Sequence, residues 1–499
     1  MQIVLNKEKK EPIYQQIYEQ LKEQIHSGEL TYKELLPPER KLALELNVNR
    51  TTILNAYNKL KQEGLIDSKI GQGTRVLWQS VEMSQGLGPE WNQFFNTRLS
   101  ELNDRMIGKV MPLLGKTEGI SFALGMADPE LIPDLHFEKL AERFLEVGGK
   151  NLLSQSPVAG REDLKTSISQ FLAKREITCS PDQMMILTGS QQGIDLCSRV
   201  LLQPGDLVVV ESPTYFLACN SFQSAGAKLM EVPVDECGMQ TDRLEQILKR
   251  YHPKLIYTVP TNQNPSSYTL SLERRKQLLT LAVQYNVLIL EDDAYAGLNF
   301  ENDEIPTLYQ MDHNGYVIYV KTFSKTICSG IRLGFMLEHK RLIAQCAMLR
   351  QSVDIHPNNI SQFAVSEFIK SGEYEKHLET ILSVYKKRRD FMHQTLLTYA
   401  PKDVYWVKPR GGFYFWCRLP KKVRASELFE RCLRQGVVFM PGILFYLAEK
   451  GEHYIRLNYT TCGDQDIETG LKIICDNIKR MAAEEKEEDQ GKSGLMPIY

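Results

Sequence analysis

The sequence predicts two folds in one chain: a small α+β unit at the N-terminus and a larger α/β unit built on a mostly parallel sheet. Three observations predict this. The chain has 499 residues, and at about 100–200 residues per domain that is too long for one compact core. Residues 11 to 77 carry a self-contained helical pattern that ends in a Gly-rich stretch. Beyond residue 115, apolar runs of strand length alternate with helical segments, the pattern of a parallel sheet covered on both faces.

Composition narrows the classes of function. With 42% hydrophobic and 24% charged residues the chain is globular, neither a disordered polymer nor a fibrous repeat. Sixty Lys and Arg against 62 Asp and Glu leave a net charge of -2, so any site for a polyanion must be local. The ten cysteines never form a C-x-x-C pair, which leaves zinc and disulfide readings without support. Residues Met1 to Lys10 are polar, and no run approaches the roughly 18 apolar residues of a membrane span. A reducing cytoplasmic location, with no membrane partner, is therefore expected.

In the first unit, Pro12 stands where a first helical turn accepts proline. Ile13, Ile17, Leu21 and Ile25 then recur every four residues until Gly28, which predicts one amphipathic helix. Pro37-Pro38 open a second, short helix from Glu39 to Leu46, Asn47-Val48-Asn49 make a turn, and a third helix runs from about Arg50 to Gln62. Two short helices around a tight turn predict a helix-turn-helix. The segment Leu65 to Leu77 reads as two strands about a Gly-rich turn, a wing. From Arg40 to Arg75 there are seven Lys or Arg against three Asp or Glu, a local excess of four positive charges. A charge run of that size is usually a solvated face; its coincidence with Asn49-Arg50-Thr51-Thr52 at the start of a helix favours DNA. The candidate contacts are Arg40, Arg50, Thr51 and Thr52, with Lys69 in the wing.

In the second unit the expected strands are Met184–Thr188, Leu207–Glu211, Leu255–Val259, Val287–Glu291, Val317–Lys321 and Gly334–Leu337. Ligands of open α/β sheets bind beyond the carboxyl ends of strands, so the residues that follow each run matter. They are, in order, Gly189-Ser190-Gln191-Gln192-Gly193, then Tyr215, then Asn264, then Asp292 with Tyr295, then Ser324-Lys325 with Arg332. Taken singly, each has a plainer reading as turn former, cap, core aromatic or surface charge. Together they match one cofactor, pyridoxal 5'-phosphate. A lysine amine must condense with its aldehyde, and a carboxylate must keep its pyridine nitrogen protonated; Lys325 and Asp292 fit. Tyr295 and Asn264 suit the phenolic oxygen. Ser190, Gln191, Ser324 and Arg332 suit the phosphate.

These stretches carry a resemblance. Residues 115 to 480 resemble a fold-type I class I/II aminotransferase, most specifically through Ser324-Lys325-Thr326 and Gly330-Ile331-Arg332-Leu333-Gly334. Residues 11 to 77 resemble the GntR winged-helix family through Leu36-Pro37-Pro38-Glu39-Arg40-Lys41-Leu42-Ala43 and Val48-Asn49-Arg50-Thr51-Thr52. The two modules in this order resemble the MocR/GabR-type regulators. The resemblance implies an aldimine lysine at Lys325, a pyridinium partner at Asp292 and O3' partners at Tyr295 and Asn264. It further implies a ring stacked on Tyr215 and a substrate or effector carboxylate at Arg456. It implies a homodimeric transcriptional regulator on a double-stranded operator with repeated half-sites, sensing a small amino compound or pyridoxal phosphate itself through imine exchange at Lys325, with a working aminotransferase as the alternative.

The expected boundaries are 11–77 for the winged helix, 78–115 for a linker holding one helix, and 116–480 for the aminotransferase-like part with a small subdomain at about 395–480. An acidic, disordered tail is expected over 481–499. Three departures from the family stand out: Ser266-Ser267 where relatives carry Thr-Gly, no tyrosine in the segment before Gly160, and Leu54 where many GntR helices carry a second arginine.

Overall fold

The computed structural model describes residues 3–6, 11–26, 29–31, 33–69, 73–77, 119–133, 142–143, 146, 149–301, 305–447 and 450–493. The expected linker and its helix lie outside them. The chain divides into two compact units, Met1–Phe95 and Asn96–Tyr499.

The first unit is a winged helix-turn-helix. Helix α1 (Ile13–His26) buries Ile17, Leu21 and Ile25 as the four-residue spacing requires. Helix α2 (Glu39–Glu45) and helix α3 (Arg50–Gln62) flank a turn in which Asn47 takes a left-handed conformation, φ 50°. Asn49 caps α3 by accepting a hydrogen bond from the Thr51 amide at 3.3 Å. Ile53, Ala56 and Leu60 of α3 close the core onto α1, and Tyr57 donates to the Pro37 carbonyl at 2.8 Å. Strands β1 (Leu35–Leu36), β2 (Ile66–Lys69) and β3 (Gly73–Val76) form an antiparallel sheet in the order β1-β3-β2. Residues 70–72, the tip of the expected wing, lie outside the described residues.

The second unit begins, among its described strands, with β4 (Ile120–Ser121) and then carries an eight-stranded sheet. Its strands are β5 (Met184–Leu187), β6 (Leu207–Ser212), β7 (Lys228–Asp235), β8 (Gly238–Met239), β9 (Leu255–Thr258), β10 (Leu288–Asp292), β11 (Val317–Thr322) and β12 (Gly334–Leu337). The order is β5-β12-β11-β10-β9-β6-β7-β8. The centre is parallel, whereas β12 runs antiparallel to both of its neighbours and β8 antiparallel to β7. Strands β5, β9 and β11 are buried along their whole length, which is why they read as continuous apolar runs. Strand β7 is absent from the sequence-based set because Glu231 and Pro233 interrupt it.

A smaller sheet follows, with β13 (Tyr405–Trp406), β14 (Tyr414–Arg418), β15 (Val437–Val438), β16 (Met440–Pro441) and β17 (Tyr454–Asn458). Four of these pair in the order β13-β14-β17-β16, while β15 pairs in parallel with β4. The small subdomain is therefore not one continuous segment: residues 120–121 return to it, because Ile120 and Phe122 donate to the carbonyls of Gly436 and Val438. The tail also needs correction. The last helix runs Asp464–Ser493 and so extends into the segment expected to be disordered, whose residues 494–499 lie outside the described residues. Ile467, Leu471, Ile474, Ile478 and Met481 anchor it to the core, and Arg431 clamps Glu484 at 2.7 Å.

Candidate functional site

A cavity of about 280 Å³ opens at the carboxyl ends of β5, β6, β9, β10 and β11. Ser190, Gln191, Tyr215, Asn264, Asp292, Tyr295, Ser324, Lys325 and Arg332 all line it. Nine positions spread over more than 140 residues of sequence converge because parallel strands deliver all their carboxyl ends to one edge of the sheet.

The floor is electrostatic. Asp292, the last residue of β10, is buried; its Oδ2 accepts from the Tyr257 hydroxyl at 2.9 Å, and its Oδ1 has no partner. Burial pushes its carboxyl up to about 6, against the lowering effect of the Tyr257 bond. A buried acceptor left open is costly unless something donates to it, so this atom fits a protonated ring nitrogen. Lys325 donates from Nζ to the Gly125 carbonyl. Burial lowers its ammonium pKa, with the neighbouring Tyr414 opposing and Arg456 and Arg332 reinforcing the fall.

The other walls follow from local geometry. Gly189 has φ 128°, and a Cβ there would lie 3.0 Å from the Arg332 guanidinium. The helix Ser190–Leu201 begins immediately after Gly189, which brings the helix N-terminus into the same cavity lining as Arg332 and Ser324. The Gln191 side chain is committed elsewhere, donating to Leu217 O at 3.1 Å and to Ser221 Oγ at 3.0 Å, so only its backbone serves this end. Asn264 Oδ1 accepts from Arg456 Nη1 at 2.8 Å, which fixes the Asn264 amide nitrogen as a donor. Arg456 also donates to Ala123 O at 2.5 Å, its guanidinium lies 4.1 Å from the Tyr414 ring centre, and its buried Nε has no partner. Tyr295 shares a 2.9 Å hydrogen bond with the Tyr414 hydroxyl.

The departure after Asn264 has a local account. Ser267 adopts the left-handed conformation, φ 58°, that glycine would take most easily, and its hydroxyl donates to Tyr414 O at 2.8 Å. The turn is kept, with a hydrogen bond in place of conformational ease.

Sequence reasoning missed Tyr257, Tyr414, Gly125 and Ala123. Tyr257 reads as one more apolar strand residue. Tyr414 follows Gly411-Gly412, a sign of close backbone approach, but nothing local marks its hydroxyl as facing Tyr295.

On the helix-turn-helix, Arg40, Arg50 and Thr51 are exposed and Thr52 is half-buried. Arg50 is held by Glu39, with Nη2 to Oε2 at 3.0 Å. Leu54, one turn along α3, is 37% exposed and has the same outward aspect. Lys69 ends β2 in register with Gly73, and its side chain lies outside the described residues.

Comparison with known proteins agrees with both parts. The family "Aminotransferase class I and II" matches residues 132–474, and "Bacterial regulatory proteins, gntR family" matches residues 13–76. The uncharacterized HTH-type transcriptional regulator YisV of Bacillus subtilis is 29% identical over 94% of this chain and 96% of its own. The probable rhizopine catabolism regulatory protein MocR of Rhizobium meliloti is 27% identical over 88% of each chain. Among solved structures, the α-aminoadipate aminotransferase LysN of Thermus thermophilus, complexed with N-(5'-phosphopyridoxyl)-L-leucine, is 31% identical with a TM-score of 0.73. It covers 79% of this chain and 99% of its own.

Proposed function

Because the chain belongs to the class I and II aminotransferase family and carries a GntR-type DNA-binding domain, we propose that it is a transcriptional regulator that senses an amino compound at its pyridoxal phosphate site. Pyridoxal 5'-phosphate is the cofactor, and the unpartnered Asp292 Oδ1 is the atom that fits its ring nitrogen. The observation that carries the regulator reading is the span of likeness. Regulators such as YisV match from end to end, whereas the aminotransferase LysN accounts for 79% of the chain and leaves the DNA-binding unit unexplained.

When bound, the cofactor supplies an electron-withdrawing ring and an aldehyde that exchanges between amines. The chain's own groups do the rest. Burial leaves the Lys325 amine more readily neutral and so nucleophilic. The Asp292 carboxylate would hold a proton on the ring nitrogen, Tyr295 and Asn264 would donate to the phenolic oxygen, and Tyr215, in the cavity lining, would pack on the ring. Ser324, Arg332 and the amides of Ser190 and Gln191 receive the phosphate. Arg456, already oriented by Asn264 and Ala123, offers its free Nε to an effector carboxylate. Only differential affinity of the effector for two arrangements of the protein can change DNA binding. The assembly is a cytoplasmic homodimer whose two recognition helices address repeated half-sites about one helical turn, 34–36 Å, or a multiple apart.

The alternative, a working aminotransferase, is favoured by the convergence of every cofactor-facing side chain in one cavity. One experiment decides. Operator DNA selected from random sequence is titrated with the holoprotein while cofactor absorbance is followed, with and without a panel of amino acids. An amine that shifts the spectrum and the operator affinity together, with slow turnover of keto acids, supports the regulator. Rapid multiple turnover with operator affinity indifferent to every amine overturns it.

A further inference from the structure

A second cavity, of about 350 Å³, lies on the opposite side of the same two strand ends and shares no residue with the cofactor cavity. Successive side chains of a strand point to opposite faces. Asp292 therefore looks toward Lys325 while Asp293 looks the other way, and Lys321 stands beside Asp293 on the neighbouring strand.

The polar groups of this cavity are unusual for a core. Asp293 is fully buried; its Oδ2 accepts from the Tyr319 hydroxyl at 2.5 Å and lies 3.6 Å from Lys321 Nζ, and its Oδ1 has no partner. Lys321 is 3% exposed, and its only hydrogen bonds among the described residues are long ones, to the carbonyls of Ala296 at 3.3 Å and Asp293 at 3.4 Å. Arg175 packs its guanidinium on the Phe171 ring at 4.8 Å and forms no ion pair with a described residue. Lys321 and Arg175 thus share the cavity lining with Asp293, while Glu291 acts on Lys321 and Glu375 on Arg175 from outside it. The rim charges, Lys174 and Glu176, are exposed, and Lys174 is already bonded to Glu375. Burial and the Arg175 charge both lower the Lys321 ammonium pKa, with Asp293 opposing, so a further anion would favour the charged form.

We propose that this cavity is a second ligand site, for a monocarboxylate that bears a hydroxyl or amino donor beside the carboxylate. The carboxylate meets Arg175 and Lys321, the donor satisfies Asp293 Oδ1, and Phe171, Leu172 and Ile177 receive an apolar tail. The ligand brings a negative charge to the buried Lys321 and the half-buried Arg175, and the proton that one buried oxygen lacks.

The test uses a ligand unable to condense with the cofactor. L-2-hydroxyisocaproate is titrated into the full-length holoprotein and its dissociation constant measured by calorimetry. Saturable binding is expected, weakened about tenfold in Arg175→Gln by loss of a charge-assisted bond, and unchanged within about twofold in Arg456→Ala. Isocaproate, which lacks the hydroxyl, should bind at least several-fold more weakly because Asp293 is left unsatisfied. Circular dichroism confirms that each variant folds. The proposal is overturned by a cavity that holds water alone, seen as no binding at tens of millimolar. Binding that survives Arg175→Gln but disappears in Arg456→Ala also overturns it, as does equal affinity for the two acids.

Discussion

The helix-turn-helix and the cofactor cavity use polar side chains in opposite ways. In the first, the candidate contacts stand in solvent, and Arg50 fills its time in a 3.0 Å pair with Glu39 whose side chains are 55% and 27% exposed. At the second, Asp292 in the lining and Arg456 behind it, bonded to the lining residue Asn264, are buried, each with one polar atom lacking a partner. Exposed groups are cheap to hold and cheap to release, because water replaces any partner they lose. Buried groups with an open valence are held at a cost, and that cost makes them selective for whatever completes them. The difference teaches where to look for a ligand: at the unpaired buried atom rather than at the richest patch of charge.

The comparison breaks most completely at Lys325. Lys325→Ala should abolish the borohydride-fixable attachment of the cofactor and the amine response with it, read by mass spectrometry of the reduced protein. Reduction that labels another lysine would move the site.

Asp292→Asn sharpens the argument from burial. The folded carboxyl sits at about 6 against an ordinary value of 3.8, so its protonated form is favoured by folding. Stability from this group is complete below pH 3.8 and is lost as pH rises through about 6. At pH 8 the ionised carboxylate should cost the cofactor-free protein up to about 3 kcal/mol. Urea unfolding of the cofactor-free variant should therefore show a gain over the parent at pH 8 that fades toward pH 4. With cofactor present the sign reverses, since the amide cannot pair with a charged ring nitrogen, and retention of the cofactor should weaken. A variant equally stable relative to the parent at both pH values would remove the burial penalty.

At the exposed end, Arg50→Ala should weaken operator binding by roughly 1–3 kcal/mol if the side chain reads a base edge, with the loss confined to sequences carrying that base. A loss spread evenly over all sequences would make it a phosphate contact. The smallest effect belongs to Glu39→Gln, which breaks the Arg50 pair. Folding stability should move by no more than about 1 kcal/mol in a thermal melt. A larger loss would show that the pair organises the turn between α2 and α3.

Much of this architecture is legible in local sequence, for a physical reason that differs between elements. Helix α1 announces itself because one helical face must be apolar, and α3 because Asn49 has to cap it. The central strands are legible because parallel strands covered on both faces must be apolar throughout. Lys325, Asp292, Asn264 and Arg332 could be picked out because parallel strands must end at one edge. Strand β7 escaped because Glu231 and Pro233 break its run, and the end of the last helix because its sequence from Glu484 to Asp489 is a run of charge with no apolar period to mark a helix.

Local chemistry thus pointed to most of the elements, to the cofactor class and to nine of the side chains that line one cavity. Pairings between distant segments settled the remainder. Tyr414 meets Tyr295 across 119 residues, Arg456 reaches Asn264 across 192 and Ala123 across 333, and residues 120–121 return to pair with β15. Contacts of that kind leave no periodicity and no spacing to read, because their energy comes from burial that exists only once the whole sheet is assembled. The opposed aspects of Asp292 and Asp293 have the same origin: two adjacent carboxylates, alike in sequence, acquire different partners when the strand divides one side of the sheet from the other.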